Sequence, residues 1–169
     1  MKTINILVGQ KGSGKTYIGK LLQDNLNIPF LRVEDVCLKI KKDRDVFDKN
    51  YIAESFMQIE KEIRKLLNTT DQLTIESTGA AVEFTQMLEN LKKDFIVKLI
   101  KVDTDSELCI QRVRDRDNKN HIPVSDERVS EINKLAVRKI FDFDLIINNN
   151  CKTDKEILNE IKKIISTTA

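Results

Sequence analysis

Residues 3–16 read TINILVGQKGSGKT, and this stretch predicts the fold class of the chain. Thr3–Val8 is a short apolar run that ends at Gly9, a pattern typical of a buried parallel strand. Gly9–Thr16 fits G-x-x-x-x-G-K-[ST] in full, and residues 14–26 then show the apolar spacing of a helix. A phosphate-binding loop between a strand and a helix is therefore predicted near the start of the chain.

The sequence of this loop predicts that the protein binds a nucleoside triphosphate. Its glycines let successive backbone N–H groups point into one concavity for phosphate oxygens, and the dipole of the following helix adds attraction. Lys15 supplies a mobile positive charge for the β- and γ-phosphates, and the Thr16 hydroxyl ligates Mg²⁺. We therefore expect a nucleoside triphosphate with Mg²⁺. The predicted nucleotide-binding residues of the loop are Gly9, Gln10, Lys11, Gly12, Ser13, Gly14, Lys15 and Thr16.

The rest of the chain alternates short apolar strands with helices, which predicts an α/β fold with helices on both faces of a parallel sheet. Further strands are predicted within 27–31, then at 72–75, 95–102 and 143–147, with helical patterns between them and after the last. The crossovers 32–71 and 103–142 are longer than packing requires, and long excursions between strands are usually functional. We predict one domain over residues 1–169, with an acceptor-binding excursion at about 32–71 and a lid at about 112–126.

Composition excludes several other classes of protein. The length of 169 residues suits one domain, and 29 Lys and Arg against 27 Asp and Glu leave no basic excess for nucleic acid. No apolar run approaches the length of a membrane span, and the N-terminus is too polar for a signal peptide. The cysteines are too far apart in sequence to suggest disulfides or a zinc site. We expect a cytoplasmic protein, a monomer or a homodimer, with no membrane or nucleic-acid partner.

A GTPase is disfavoured by its missing signature motifs. That class needs DxxG after the third strand and NKxD after a later one. Residues 76–79 read ESTG and residues 118–121 read NKNH, so each is a near miss. The second lacks the aspartate and follows a charged helix instead of a strand.

Three carboxylates follow predicted strands at the edge where ligands of open α/β sheets bind. Glu34 and Asp35 come after the second strand and are catalytic candidates, because one of them can accept a hydroxyl proton or hold Mg²⁺ through water. Glu76 ends the third strand and is a candidate for holding the water shell of the metal. The alternatives are acids favoured by a helix N-terminus and an ordinary acid at a strand end.

An arginine-rich helix and a polar loop follow the fourth strand. Arg112 and Arg116 are four residues apart and share a helix face, so both can reach one anion, and a planar guanidinium suits phosphate. Both are catalytic candidates on the lid, and Arg112 is also a nucleotide-contact candidate. A solvated helix end with Arg–Asp pairs is the alternative. Arg138 on the next helix is a further candidate, and His121 is interpreted as a contact or surface residue.

These residues together resemble a known group. The stretch GQKGSGKT, the carboxylates after strand two, the arginine-rich helix with its loop, and the final strand and helix are similar to the shikimate kinase and nucleoside monophosphate kinase group of small P-loop kinases. The resemblance covers essentially the whole chain. It implies a P-loop NTPase three-layer sandwich with a five-stranded parallel sheet in the order 2-3-1-4-5. It also implies ATP with Mg²⁺, an acceptor-binding excursion after strand two and a lid after strand four.

The chain departs from the pattern of shikimate kinases at three places. Arg32 stands where those enzymes carry the metal-side acid, residues 77–80 read STGA in place of a triple glycine, and Met57 stands where an arginine is expected near Phe56. The adenylate kinase motif after strand three is also missing. The resemblance therefore predicts the group and leaves the acceptor open.

The sequence favours an ATP-dependent phosphotransferase that acts on a small metabolite or nucleotide. Its main alternative is an ATP-binding regulatory protein or slow ATPase with no small-molecule acceptor. A nucleic-acid 5′-end kinase is less favoured, because the net charge of +2 offers no basic groove.

Overall fold

The computed structural model describes residues 1–116, 119 and 121–165. Its strands are β1 (Thr3–Val8), β2 (Phe30–Leu31), β3 (Gln72–Ser77), β4 (Ile96–Asp103) and β5 (Leu145–Asn148). Its helices are α1 (Lys15–Leu26), α2 (Val33–Lys41), α3 (Lys49–Leu66), α4 (Val82–Asp94), α5 (Ser106–Asp115), α6 (Asp126–Arg138) and α7 (Asp154–Ile165). None of the helices in these ranges is long and apolar enough to cross a lipid bilayer.

The strands within the described ranges form one five-stranded parallel sheet in the order β2-β3-β1-β4-β5. Thr3 pairs with Gln72 on one side of β1 and with Ile96 on the other, so β1 is the central strand. All of its residues are buried, as expected for a strand covered on both faces. The predicted α/β fold and strand order are confirmed.

Two apolar layers hold the helices against the sheet. On one face, Ile59 and Ile63 of α3 and Phe84 of α4 pack against β1 and β3. On the other, α1 and α7 cover β1 and β4, and α7 presents buried isoleucines at 157, 161 and 165. The spacing of four places them on one stripe of the helix, which is why this amphipathic segment closes the fold.

The last strand begins later than its apolar pattern predicts. Strand β5 was expected from Phe143, yet it starts at Leu145. Phe141 packs edge-on against Phe84 at 5.5 Å between ring centroids, and Phe143 packs against Phe141 at 5.9 Å. These aromatic contacts hold residues 141–143 against the core, so the chain joins β4 only after them.

Both long crossovers rise from the carboxyl edge of the sheet. Helices α2 and α3 form the first, and Asp48 caps α3 by accepting a hydrogen bond of 2.7 Å from the Tyr51 N–H. Helices α5 and α6 form the second. The predicted lid, 112–126, includes residues 117, 118 and 120, which lie outside the described residues. So do two positions of the NKNH stretch.

Candidate active site

The phosphate-binding loop has a backbone that only glycine can adopt at two positions. Gly12 and Gly14 have φ of 85° and 98°, in the left-handed region. A Cβ at Gly12 would lie 2.1 Å from the carbonyl oxygen of Cys109, and one at Gly14 would lie 2.3 Å from the amide nitrogen of Asn149. The motif therefore reflects both a turn and close packing against α5 and the segment after β5.

Polar side chains from distant elements hold this loop in place. Asn133 of α6 accepts from the Lys11 N–H at 2.7 Å and donates to the Lys11 carbonyl at 3.1 Å. Asn149 and Thr104 both donate to the carbonyl of Ser13, at 2.8 and 3.1 Å. Sequence reasoning missed Asn133 and Thr104, because a lone polar residue in a helix or after a strand carries no local signal of a partner about ninety or more residues away.

Lys15 lies buried against its own loop. Its ammonium group donates to the carbonyl oxygens of Gly9 at 2.8 Å and Gln10 at 2.7 Å. Burial lowers the pKa of Lys15 from 10.5 to about 8, although the nearby carboxylate of Glu76 acts in the opposite direction. The Lys15 amine, which is expected to contact the phosphates, is therefore only partly protonated in mildly alkaline solution.

This pKa gives a testable pH dependence. At pH 7 Lys15 is charged before ATP binds, whereas above about pH 8 its amine must take up a proton on binding. We expect the affinity for ATP to fall by up to about tenfold per pH unit above pH 8. Calorimetry at pH 7 and 9, in two buffers of different ionisation enthalpy, measures both affinity and proton uptake. The variant Lys15→Arg is the control, since its guanidinium stays charged; equal wild-type affinity at both pH values would contradict the assignment.

Thr16 and Glu76 lie together at the edge of the loop. The Thr16 hydroxyl donates to Glu76 Oε2 at 2.7 Å, and Glu76 is only 6% exposed. Both residues line one cavity beside the loop. Oxygen donors of this kind fit Mg²⁺, which usually takes one or two protein carboxylates or hydroxyls together with phosphates and water. Within the described residues no group of three His, Cys, Asp or Glu side chains could hold a metal ion.

Glu34 lies in the same cavity and is held from two elements. Arg32 Nη2 donates to Glu34 Oε2 at 2.8 Å, and His121 Nδ1 lies 2.8 Å from the same oxygen. The N–H of Ile122 donates to Glu34 Oε1 at 2.9 Å. Burial alone would raise the pKa of Glu34, but the Lys11 ammonium, the Ile122 N–H and His121 together lower it below its ordinary value. Glu34 is therefore ionised at neutral pH and joins α2 to His121 and Ile122.

Asp35 does not share this environment. Its carboxylate accepts from Arg32 Nη1 at 2.7 Å, its side chain is 55% exposed, and it does not line this cavity. Successive residues of a helix point about 100° apart, so only one of two adjacent acids can face the phosphates. The structure brings Glu34 to the loop and leaves Asp35 on the outer side of α2.

Arg112 and Arg116 both line the cavity. Arg112 Nη2 donates to the carbonyl of Asn149 at 3.1 Å. The expectation of a shared helix face is wrong, because α5 ends at Asp115 and Arg116 follows in extended backbone. Burial lowers the pKa of Arg116, opposed by Glu34, and its Nε has no hydrogen-bond partner among the described residues. Arg138 is exposed and lies outside the cavity lining.

One cavity of about 820 Å³ joins the phosphate-binding loop to the space between α2, α3 and residues 121–124. Arg128 of α6 contacts the loop between α2 and α3, with its guanidinium 4.7 Å from the Phe47 ring centroid and 3.0 Å from Asp45. Met57, where an arginine was expected by resemblance, is 70% exposed and does not line the cavity.

These features together define a class of protein. The strand order is 2-3-1-4-5, and the phosphate-binding loop, the Glu34 and Glu76 carboxylates and two arginines share one cavity. That combination is typical of the small P-loop kinases.

Comparison with known proteins identifies the family. A protein-family model described as shikimate kinase matches residues 11–166. A shikimate kinase from Thermodesulfovibrio yellowstonii is 26% identical over 167 residues, which cover 96% of this chain and 94% of that protein. One from Clostridium botulinum is 28% identical over 171 residues, with 98% of each chain covered. The structure of shikimate kinase from Acinetobacter baumannii in complex with shikimate superposes with a TM-score of 0.65 at 18% identity, covering 99% of this chain and 96% of that one.

The chain belongs to the shikimate kinase family. It is an ATP-dependent kinase that acts on a small metabolite, which confirms the function predicted from the sequence.

Proposed function

We propose that this kinase transfers the γ-phosphate of ATP, with Mg²⁺, to a hydroxyl group held beside Glu34. The observation that carries the proposal is the single cavity that joins the phosphate-binding loop to the Glu34 carboxylate. Transfer requires the acceptor oxygen to lie in line with the γ-phosphate and both to be screened from water. The contacts of Glu34 with His121 and Ile122 provide that cover.

Each side chain has a defined part in the transfer. The acceptor oxygen forms a bond to the γ-phosphorus while the bond to the β,γ-bridging oxygen breaks, which yields ADP and a phosphate ester. The acceptor proton passes to Glu34, whose Oε1 carries one hydrogen bond and retains a free lone pair. Lys15 and Arg116 stabilise the negative charge on the transferred group, and Arg112 contacts the nucleotide.

The donor set at Thr16 and Glu76 fits Mg²⁺. We propose that the Thr16 hydroxyl holds the ion directly and that Glu76 holds it through water. When bound, Mg²⁺ neutralises phosphate charge and so lowers the barrier to attack by a hydroxyl oxygen. The cytoplasmic location and the monomeric or dimeric state remain predictions from the sequence.

A panel of small acceptors, with ADP release as the readout, tests the proposal. A kinase releases ADP at a rate that rises and saturates with one class of acceptor, and the phosphate appears on that acceptor in mass spectra. The alternative, a regulatory protein or slow ATPase, releases ADP and inorganic phosphate at a rate that no acceptor changes. The second result across the whole panel would overturn the proposed transfer to a small molecule.

Removing the carboxylate of Glu76 should change the Mg²⁺ requirement. In Glu76→Gln we expect the Mg²⁺ concentration for half-maximal activity to rise about 10- to 100-fold, the usual effect of losing a group that orients the ligands of a metal. Titration of MgCl₂ at fixed ATP measures this shift. Glu89→Gln is the control, because Glu89 is 60% exposed on α4 and outside the cavity lining. An unchanged requirement in Glu76→Gln would remove Glu76 from the metal site.

Removing the guanidinium of Arg116 should act mainly on kcat. We expect Arg116→Ala to lower kcat about 100-fold. This is the lower end of the range for removing one hydrogen-bond donor that is positioned to stabilise charge developing in the transition state. KM for ATP should change far less. Arg114→Ala is the matched control, since Arg114 is 60% exposed and pairs with Asp126 at 2.8 Å. Steady-state kinetics of both variants decide the point, and equal losses in the two would show that Arg116 has no special part.

A further inference from the structure

We infer that Lys11 is a further catalytic residue, whose ammonium group contacts the phosphoryl group as it passes from ATP to the acceptor. This inference rests on the proposed transfer to a hydroxyl group, and it adds a residue to that site. Lys11 stands at a position that the motif G-x-x-x-x-G-K-[ST] leaves open, so the motif itself requires no cation there. The inference is carried by the place that the fold gives to this side chain.

The backbone of Lys11 is engaged by α6. Its N–H donates to Asn133 Oδ1 at 2.7 Å, and its carbonyl accepts from Asn133 Nδ2 at 3.1 Å. Each residue has one backbone N–H, and that of Lys11 is already bound to a side chain of another helix. Any contact between Lys11 and a phosphate therefore comes from its side chain.

The side chain of Lys11 is half-buried and lines the cavity. Burial lowers the pKa of Lys11 from 10.5; the carboxylate of Glu34 opposes this shift, and the guanidinium of Arg116 adds to it. Among the described residues, Lys11 Nζ has neither a hydrogen-bond acceptor nor an ion-pair partner. The ammonium group thus lies close to Glu34, the proposed acceptor of the hydroxyl proton, and is not committed to another contact.

Three cations meet at this part of the cavity. Besides burial, Lys11 lowers the pKa of Lys15, and Arg116 lowers that of Lys11, so the three charges are near enough to repel one another. The carboxylates of Glu34 and Glu76 offset this repulsion only in part. A phosphoryl group spreads its negative charge over three oxygens and can accept charge-assisted hydrogen bonds from all three cations. The arrangement therefore fits the group that is transferred.

The two lysines approach that group from different sides. Lys15 Nζ donates to the carbonyls of Gly9 and Gln10 at 2.8 and 2.7 Å, so it lies against the loop that holds the nucleotide. In-line transfer places the acceptor oxygen and the leaving oxygen on opposite sides of the phosphorus. Lys15 therefore serves the nucleotide side, and Lys11, close to Glu34, serves the acceptor side. The Lys11 ammonium gains and loses no proton, and the bonds that form and break are those of the proposed transfer.

The other charged residues of the lining do not duplicate this role. Arg112 donates to the carbonyl of Asn149 at 3.1 Å. Glu83, at the start of α4, and Lys139, just after α6, line the same cavity, but neither is among the main charges that act on Lys11. Lys139 is thus left to meet a carboxylate on the acceptor, such as that of shikimate.

Steady-state kinetics with shikimate as the acceptor test the inference. Lys11→Met keeps a long side chain without its charge, and the two hydrogen bonds to Asn133 persist because they involve backbone atoms of residue 11. We expect kcat to fall about 100-fold, as for loss of one positioned donor to developing charge. KM for shikimate should change by no more than about threefold, because the contact is made with the transferred group. Lys11→Arg restores the charge and should recover part of the loss.

Lys134→Met is the matched control for this variant. Lys134 is the neighbour of Asn133, but it is exposed on α6 and outside the cavity lining. We expect its kcat to equal that of the wild type. A loss in Lys11→Met that is confined to KM for shikimate would show that Lys11 binds the acceptor carboxylate instead, and equal kcat in Lys11→Met and Lys134→Met would also overturn the inference.

A binding measurement separates this inference from the proposed function. Aluminium fluoride with MgADP mimics the phosphoryl group in transfer, and the rise in Tm reports its binding without any turnover. Lys11→Met should lose most of the rise that aluminium fluoride adds to MgADP, while the rise with MgADP alone stays unchanged. If shikimate and every other acceptor leave ADP release unchanged but this loss is seen, the transfer proposal fails and the contact of Lys11 with the phosphoryl group stands. If Lys11→Met keeps the whole added rise, or if the wild type shows none, the inference is wrong.

Discussion

Replacing Lys15 by alanine is expected to lower kcat about 1,000-fold while the fold remains intact. The ammonium group is the mobile charge that the phosphate-binding loop offers to the β- and γ-phosphates, and removing one preorganised stabiliser of developing charge costs about 100- to 1,000-fold. The upper end is expected here because Lys15 is buried, where electrostatic interactions are less screened than in water. Steady-state ADP release at saturating MgATP measures the loss.

The stability of this variant should be close to that of the wild type. Burial of the ammonium is costly, as its pKa of about 8 indicates, so its removal does not leave a weaker core. Unfolding followed by circular dichroism checks this point. Lys20→Ala is the matched control, because Lys20 is exposed on the same helix. Near-wild-type turnover in purified Lys15→Ala would refute the proposed mechanism.

Replacing Glu34 by glutamine is expected to lower kcat by about 100- to 10,000-fold, the range for loss of a positioned group that takes a proton. Glutamine keeps the shape of the side chain, and its oxygen can still accept from the Ile122 N–H that binds Glu34 Oε1 at 2.9 Å. The contact with the lid can therefore persist, so the loss reports on the carboxylate. Single-turnover measurements separate the chemical step from binding and product release.

Asp35→Asn provides the control for this result. Asp35 is the next residue of the same helix and shares the partner Arg32, but its side chain is 55% exposed and outside the cavity lining. We expect a change in kcat of no more than about twofold, as for loss of an exposed ion pair. A larger loss in Asp35→Asn than in Glu34→Gln would reverse the assignment of the two acids.

The comparison of the two acids shows where inference from sequence stops. Their position after β2 places both at the carboxyl edge of the sheet, because parallel strands all end there. Which of them faces the phosphates depends on the rotation of α2 about its axis. That rotation is set by the packing of Val36 into the core and by the ion pair between Arg32 and Asp35. Likewise, the spacing of Arg112 and Arg116 was enough to predict both as site residues. How Arg116 reaches the cavity is decided by the end of α5 at Asp115.

Local patterns in the chain were enough to predict the loop at Gly9–Thr16 and the alternation of strands and helices, because glycine turns and apolar periodicity act over a few neighbouring residues. The strand order was predicted by resemblance to a known group. Packing between remote segments decided the rest. Asn133 holds Lys11 across 122 residues of chain, and the cavity beside the loop is lined by residues of α2, α3 and the segment after His121. Contacts of this range depend on how whole elements are oriented, and no single stretch of sequence records that orientation.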